Sequence, residues 1–277
     1  MADKISGHAS TRDGAAIHYT VHGDPGARLP RLALVHTLGL GEFVWDGVVE
    51  RLADRAVVLT YDCRGHGASS KSPAPYSVEQ FGHDLEDLLK HVGWTKAHVA
   101  GASMGGCVAL QIAVSRPDLV QSLGLVDTTA WFGANAPEAW EGRAKQAEEK
   151  GMASLVEFQR ARWFTETFQA EHADTVARAL AAFAANDVPS FAASCRMLGA
   201  VDLRAKLPAL RLPAGVIVGE NDGATPPDMS REMVRLIPGA TLEIIPQARH
   251  LSFIECPEIT GDFLARLIAH VPTSVSA

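Results

Sequence analysis

Apolar residues occur along the chain in short runs that are separated by longer amphipathic stretches. Five runs are apolar at nearly every position and rich in β-branched residues, at 31–36, 56–61, 97–100, 120–126 and 214–219. Such runs predict strands that are buried on both faces, as in a parallel sheet covered by helices. The stretches between and after them carry apolar residues at helical spacing, at 78–91, 104–115, 229–237 and 259–270. The alternation predicts an α/β fold with a mostly parallel, doubly wound sheet.

Two segments depart from this alternation. Residues 7–10 and 17–22 flank Arg12-Asp13-Gly14, which predicts an antiparallel hairpin at the edge of the sheet. Residues 131–200 are rich in Ala, Glu, Arg and aromatic side chains, and their pattern indicates several helices and no strand. We therefore expect residues 1–130 and 201–277 to form an α/β core, and residues 131–200 to form a helical lid inserted into it.

The hexapeptide GASMGG at residues 101–106 joins a predicted strand to a predicted helix. A serine there lies on a sharp turn, and its neighbours must be small because a Cβ would clash in so tight a bend. The turn raises the hydroxyl to a helix N-terminus, where backbone N–H groups can stabilise an oxyanion. A chance match to G-x-S-x-G is the alternative, which the strand-turn-helix context disfavours. Ser103 is the predicted nucleophile.

A serine nucleophile needs a base and an orienting carboxylate, which in such a fold follow in the order acid, then histidine. Asp222 comes after the predicted strand at 214–219, and His250 comes after a further apolar run at 242–246. The ends of parallel strands are where ligand-facing groups lie in open α/β sheets. Glu220 is the local competitor for the acid, and an Asx turn before the prolines is the alternative role of Asp222.

An oxyanion hole requires one N–H from the residue after the nucleophile and another from the loop after the third strand. That loop is HTLGLG at residues 36–41. The backbone N–H groups of Leu38 and Met104 are the predicted donors. His36, at the end of a strand, is expected to have a structural, hydrogen-bonded role.

Composition and charge exclude several classes of binding partner for this protein. The 277 residues are 47% hydrophobic with a formal net charge of −7, which argues against a nucleic-acid surface. No apolar run reaches the roughly 18 residues of a membrane span, and the first residues lack the apolar stretch of a signal peptide. The four cysteines and 11 histidines show no zinc motif, and the cysteines are interpreted as free structural thiols. We expect a cytoplasmic enzyme with no cofactor or metal, binding neither nucleic acid nor membrane, and leave its oligomeric state open.

With these motifs the chain resembles the α/β-hydrolase superfamily. The segment YDCRGHGAS at 61–69 looks like that superfamily's loop after the fourth strand. Asp62, Arg64 and His66 in this loop are interpreted as architectural. From about residue 13 to residue 257, lid included, it is similar to the 3-oxoadipate enol-lactonases. The segments that carry this similarity are Thr37-Leu38-Gly39, Trp45-Asp46, Pro75-Tyr76-Ser77-Val78-Glu79-Gln80, Gly151-Met152, Arg162-Trp163-Phe164, Ala200-Val201-Asp202-Leu203-Arg204 and His250-Leu251-Ser252-Phe253-Ile254-Glu255.

The resemblance implies hydrolysis of a small, carboxylate-bearing lactone through an acyl-enzyme, as in the β-ketoadipate branch of aromatic catabolism. Direct attack of water on the lactone is the mechanistic alternative. A general carboxylesterase, a C–C bond hydrolase and a slow-turnover ligand receptor are the functional alternatives.

A lid should cover the pocket and select substrates. Arg162 and Trp163 are the predicted substrate-binding residues, because an arginine beside an aromatic ring can bind a carboxylate bidentately. The alternative is that Arg162 is solvated and Trp163 belongs to the lid core. Trp131 and Trp140 are expected to pack the lid rather than touch substrate.

Overall fold

The computed structural model describes residues 4–269, which are built around one eight-stranded sheet with strand order β1-β2-β4-β3-β5-β6-β7-β8. β1 pairs antiparallel with β2, β2 pairs antiparallel with β4, and all other neighbours are parallel. The predicted hairpin therefore lies at the edge of the sheet, and the predicted α/β fold class is confirmed. The strands are β1 (Lys4–Ser10), β2 (Ala16–His22), β3 (Arg31–Val35), β4 (Val57–Tyr61), β5 (Ala97–Ala102), β6 (Val120–Val126), β7 (Ala214–Gly219) and β8 (Thr241–Ile245).

The central strands are apolar because helices cover both faces of the sheet. Every residue of β4, β5 and β7 is buried. β8 lies at the far edge, and only its last residue, Ile245, is fully buried. Continuous apolar runs thus mark the middle of the sheet, as expected for parallel strands.

Within residues 4–269, six α-helices flank the sheet: α1 (Asp46–Leu52), α2 (Val78–His91), α3 (Met104–Ser115), α9 (Pro227–Leu236), α10 (Ser252–Glu255) and α11 (Pro257–Ala269). The predicted bounds of α2 and α3 match the structure. α2 begins where the Ser77 hydroxyl accepts the N–H of Gln80, an N-cap that fixes its start. α9 and α11 each begin two residues before the predicted start, at a proline, which the first turn of a helix tolerates. Residue 270, the predicted end of α11, lies outside the described residues.

Residues 131–200, called the cap segment below, run between the neighbouring strands β6 and β7. They form the helices α4 (Ala136–Lys150), α5 (Val156–Trp163), α6 (Glu166–Glu171), α7 (Ala173–Ala184) and α8 (Val188–Gly199). The first residue of the segment, Trp131, pairs in an isolated antiparallel bridge with Asp202, two residues beyond its end. Beside it, the Leu203 N–H donates to the Ala130 carbonyl at 3.0 Å.

Within the part of the chain described, no helix is both long and apolar enough to cross a lipid bilayer. Cys63, Cys107, Cys195 and Cys256 are free thiols, as the sequence predicts. Three of them are fully buried, and burial raises the pKa of the Cys107 thiol to about 12.

Candidate active site

Ser103 stands on the turn between β5 and α3 in a strained backbone conformation, with φ 52° and ψ −116°. Positive φ is costly for a residue with a side chain and persists only where the surroundings enforce it. A Cβ on Gly101 would overlap the carbonyl group of Gly105, and one on Gly105 would overlap the carbonyl of Val35. The glycines therefore let β3, β5 and α3 approach closely enough to hold the serine in the predicted sharp turn.

The structure brings the three predicted side chains together in one hydrogen-bonded chain. The Ser103 Oγ lies 3.0 Å from His250 Nε2, and His250 Nδ1 lies 2.9 Å from Asp222 Oδ2. All three residues are buried, with 3–7% of their surface exposed. This is the relative arrangement of nucleophile, general base and orienting acid in a serine hydrolase triad.

Asp222 fills both of the roles considered for it from the sequence: it forms an Asx turn, and its carboxylate faces His250. Its Oδ1 accepts the N–H groups of Ala224 and Thr225 at 2.7 and 2.9 Å, and its Oδ2 also accepts the Thr225 hydroxyl. Burial alone would raise the pKa of Asp222, but the charge and hydrogen bond of His250, with the Thr225 bonds, lower it to about 2. Glu220 is exposed and accepts the N–H of Gln247 instead. Asp222 is therefore the carboxylate that can orient the imidazole.

The loop that carries His250 is bound to the cap segment as well as to the sheet. Arg249 Nη1 donates to the carbonyls of Ala161 and Phe164, at the end of α5, at 2.8 and 2.9 Å. The Leu251 N–H donates to the Trp163 carbonyl at 3.1 Å. The cap segment thus helps to hold the histidine.

The two N–H groups predicted to form an oxyanion hole lie on the segments that flank Ser103. Met104 is the first residue of α3, so its N–H has no acceptor within the helix. Leu38 lies in the loop after β3 and lines the same cavity as Ser103. The cap holds this loop through Asn186, whose Nδ2 donates to the Gly39 carbonyl at 2.6 Å.

The residues interpreted as architectural are buried, and their side chains form hydrogen bonds that hold these loops. His36 Nε2 accepts the N–H of Cys63, and Arg64 pairs with Asp84. Asp62 accepts the N–H groups of Glu42 and Ala68, and His66 Nδ1 lies 3.0 Å from the carbonyl of Arg64. The structural role predicted for His36 is thereby confirmed.

A cavity of about 210 Å³ lies above Ser103 and His250, and the cap segment forms much of its wall. Both predicted lid residues, Arg162 and Trp163, line it. Trp163 also belongs to the interior of the cap segment, because it is 2% exposed and packs edge-on against Phe183. Trp140, expected only to pack the lid, lines the cavity too, since α4 turns this face toward the core. Trp131 stacks on the Arg204 guanidinium and is not among the lining residues.

Two arginines line the cavity, of which sequence reasoning found only Arg162. Arg143 and Arg162 stack on the same ring, that of Phe158, with Cζ 5.1 and 4.9 Å from its centroid. Arg143 also stacks on Trp140, and Arg162 Nη2 donates to the Gly223 carbonyl at 3.1 Å. Among residues 4–269, no carboxylate lies within ion-pair distance of either guanidinium.

Burial changes the acidity of both arginines. Desolvation, with the neighbouring charge of Arg162, lowers the pKa of Arg143 to about 10. Desolvation also lowers the pKa of Arg162, against the opposing effect of the Asp222 charge. Two partly desolvated cations that face one cavity favour an anion between them.

A family model described as the alpha/beta hydrolase fold matches residues 30–257. The chain belongs to the α/β-hydrolase family. This membership, with the relatives described next, makes it a hydrolase and confirms the predicted resemblance.

Several relatives of this α/β hydrolase match it over nearly their whole length. The 3-oxoadipate enol-lactonase 2 of Acinetobacter baylyi is 30% identical over 90% of this chain and 91% of that protein. A pimeloyl-[acyl-carrier protein] methyl ester esterase of Nitrosomonas europaea is 32% identical over 88% of this chain and 96% of that protein. The crystal structure of the enol-lactonase from Burkholderia xenovorans LB400 has a TM-score of 0.91 and 30% identity, and covers 95% of this chain and 100% of that chain.

Proposed function

We propose that this hydrolase opens a small, carboxylate-bearing lactone similar to 3-oxoadipate enol-lactone, through an acyl-enzyme on Ser103. The observation that carries the proposal is the pair of cavity-lining arginines, Arg143 and Arg162, neither of which has a carboxylate partner within the described residues. Two similar proteins that are named as enol-lactonases support it.

The first half of the proposed cycle uses the hydrogen-bonded chain above. His250 takes the proton of the Ser103 hydroxyl as the Oγ attacks the lactone carbonyl, and the 3.0 Å separation permits direct transfer. Asp222 holds the other ring nitrogen and stabilises the imidazolium that forms. The N–H groups of Leu38 and Met104 stabilise the oxyanion.

Opening the ring leaves the departing oxygen tethered to the acyl group, so His250 must protonate it before the ring recloses. His250 then removes a proton from water, which attacks the acyl carbonyl and releases Ser103. The product carries one more carboxylate than the substrate, because the ester carbon becomes a second carboxylate.

The arginine pair supports an anionic substrate on energetic grounds. A guanidinium removed from water without a counter-ion is costly, and a carboxylate that binds it with two parallel hydrogen bonds offsets that cost. Arg143 has this environment before any ligand binds: it stacks on Trp140 and Phe158 beside a second cation. A substrate carboxylate would supply the missing partner.

A general carboxylesterase is the second candidate, because a relative of comparable identity is named as a methyl ester esterase. In that case the cavity would accept neutral acyl groups, and the arginines would contribute little to binding. The cytoplasmic location expected from the sequence stays a prediction.

The two candidates differ in what Arg143→Ala does. The purified enzyme would be assayed with pairs of lactones that differ only in a carboxylate, and with neutral p-nitrophenyl esters. For a carboxylate-bearing lactone we expect KM to rise roughly 10- to 100-fold, the size of a lost charged hydrogen bond. KM for the neutral compounds should stay within about 3-fold.

Arg160→Ala is the matched control. Arg160 lies two residues before Arg162 on α5, is exposed, and is not among the cavity-lining residues. Its loss should leave both substrate classes unchanged. Equal effects of Arg143→Ala on charged and neutral substrates, with no preference of the wild type for the anionic lactone, would favour the esterase.

A further inference from the structure

A second buried carboxylate, that of Asp127, lies beside the triad and has no part in the cycle above. Asp127 follows the last residue of β6 and is 0% exposed. Its Oδ1 accepts the Gly219 N–H at 2.9 Å. Its Oδ2 accepts both the N–H and the hydroxyl of Ser252, at 3.0 and 2.7 Å.

The groups that donate hydrogen bonds to Asp127 lie close in sequence to the acid and the base of the triad. Gly219 is the last residue of β7, three residues before Asp222. Ser252 is the first residue of α10, two residues after His250. One carboxyl group therefore joins the two separate loops that carry the acid and the base.

The residues on either side of Asp127 are bonded to the third member of the triad. The Thr128 hydroxyl donates to the Ser103 carbonyl at 2.6 Å, and the Ser103 N–H donates to the Val126 carbonyl at 3.0 Å. Residues 126–128, called the β6 end below, are thus bonded to the segments of Ser103, Asp222 and His250 alike.

The backbone conformation and the pKa of Asp127 distinguish its carboxyl group from that of Asp222. Asp127 has a φ of 44°, in the left-handed region that Asp adopts more readily than most residues with a side chain. Burial, with the charge of Asp222, raises the pKa of Asp127 well above its usual range, whereas that of Asp222 is about 2. The two carboxyl groups therefore differ: the one facing His250 carries the charge, and the one at the β6 end accepts backbone hydrogen bonds.

We propose that Asp127 is a positioning residue, which sets the relative placement of Asp222 and His250 by holding their loops at the β6 end. The proposal rests on Ser103, Asp222 and His250 acting as the triad. It predicts that Asp127 affects the rate of the chemical steps rather than the binding of substrate. Small displacements of catalytic groups cost as much as 100-fold in rate.

The test compares Asp127→Ala with Asp127→Asn, using p-nitrophenyl acetate so that the result does not depend on the lactone. Active sites are counted by end-point labelling with a fluorophosphonate probe. We expect Asp127→Ala to lower kcat per labelled site roughly 10- to 100-fold with KM within about 3-fold. Asp127→Asn keeps one oxygen acceptor but turns its NH2 group toward the N–H donor of the other loop, so we expect a loss of kcat smaller than that of Asp127→Ala.

A spectroscopic measurement separates positioning from a purely structural role. The proton between His250 Nδ1 and Asp222 should give a low-field NMR signal in the wild type. We expect Asp127→Ala to broaden or remove that signal and Asp127→Asn, which holds only one of the two loops, to weaken it less. A lower Tm and fewer labelled sites, with an unchanged signal and unchanged kcat per site, would overturn the proposal.

Two milder variants test the positioning role of Asp127 if Asp127→Ala does not fold. Thr128→Val and Ser252→Ala each remove one hydroxyl donor at the β6 end and keep the backbone bonds. Combined, they should lower kcat several-fold, and a wild-type kcat would contradict the proposal. Full activity of Ser103→Ala would refute the triad itself, whereas a Ser103-dependent enzyme indifferent to Asp127 would refute only this inference.

Discussion

In the core, each reactive side chain already has its hydrogen-bond partner. The cap segment instead presents two cations to the same cavity, and no carboxylate of residues 4–269 pairs with them. The Ser103–His250–Asp222 chain is complete, with separations of 3.0 and 2.9 Å. Arg143 and Arg162 face the cavity stacked on one aromatic ring. The complete hydrogen-bonded chain of the core can act on any acyl group that reaches Ser103. The arginines of the cap segment favour a substrate whose carboxylate pairs with them. The difference teaches that chemistry and substrate choice reside in different parts of this chain.

The largest effect that tests this division is expected for Ser103→Ala. Loss of the nucleophile should lower kcat/KM roughly 10,000-fold or more, for charged and neutral substrates equally. Stability should be nearly unchanged, since a small turn residue replaces another. Steady-state kinetics on both substrate classes, with a thermal melt as control, would measure this. Activity lost on one class only would contradict the assignment of the chemistry to the core.

Asp222→Asn is expected to have the next largest effect, roughly 1,000-fold in kcat, because an amide would favour the wrong tautomer of His250. Glu220→Gln is the matched control, since Glu220 lies in the same loop and bonds only the Gln247 N–H within the described residues. It should retain more than half of the wild-type rate. Similar losses in the two variants would mean that the loop, rather than the Asp222 carboxylate, is what matters.

Acid is expected to destabilise the core through its buried histidines. Burial lowers the pKa of His98 to about 4, and burial with the neighbouring His36 lowers that of His66 to about 3. The unfolded chain, with a histidine pKa near 6.5, binds more protons, so stability is present above about pH 6.5 and is lost as the pH falls. At pH 5 each such histidine should cost about 2 kcal/mol of unfolding free energy.

Urea unfolding at pH 7 and pH 5 measures this loss. His98→Asn should remove about 2 kcal/mol of the difference between the two pH values. His83→Asn is the control, because His83 is exposed on α2 and should leave the difference unchanged. An unfolding free energy that is the same at both pH values in the wild type would refute the prediction.

The smallest effect is expected in the cap segment. Phe158 is 47% exposed and supports both guanidiniums, and each exposed cation–π contact contributes about 0.5–1 kcal/mol. Phe158→Ala should therefore raise KM for carboxylate-bearing lactones roughly 3- to 10-fold and leave neutral esters unchanged. Phe158→Tyr keeps the ring and should behave like the wild type. A change in kcat for neutral esters would show that the cap also acts on the chemistry.

The core could be predicted from sequence because local rules determine it. Buried parallel strands require apolar runs, the turn at Ser103 requires small neighbours, and the order of acid and histidine follows from the order of strands. Asp222 and His250 were found because each follows an apolar run. The same reasoning applies to Asp127, which directly follows β6, and a search for every acid at a strand end would have found it.

The cavity-facing residues of the cap could not be predicted in the same way. α4 is a 15-residue helix that carries many charged residues, and only Trp140, three residues before Arg143, distinguishes that arginine locally from Lys145 or Lys150. Which face turns toward Ser103 depends on packing against α8 and on the loops that anchor the cap. Arg162 was found because it stands beside two aromatic residues. Arg143 has a weaker local signal, Trp140 three residues earlier on the same helix, and meets its second ring, Phe158, only in the fold.

The bridge between Trp131 and Asp202 has a consequence for how this enzyme can diversify. Because the chain enters and leaves the intervening segment at this one bridge, the residues between can lengthen, shorten or be replaced without changing the register of β6 and β7. Folds tolerate inserted segments whose two ends lie close together. A single continuous stretch of gene could therefore be exchanged between relatives, which would carry a new substrate preference onto an inherited catalytic scaffold in one recombination event.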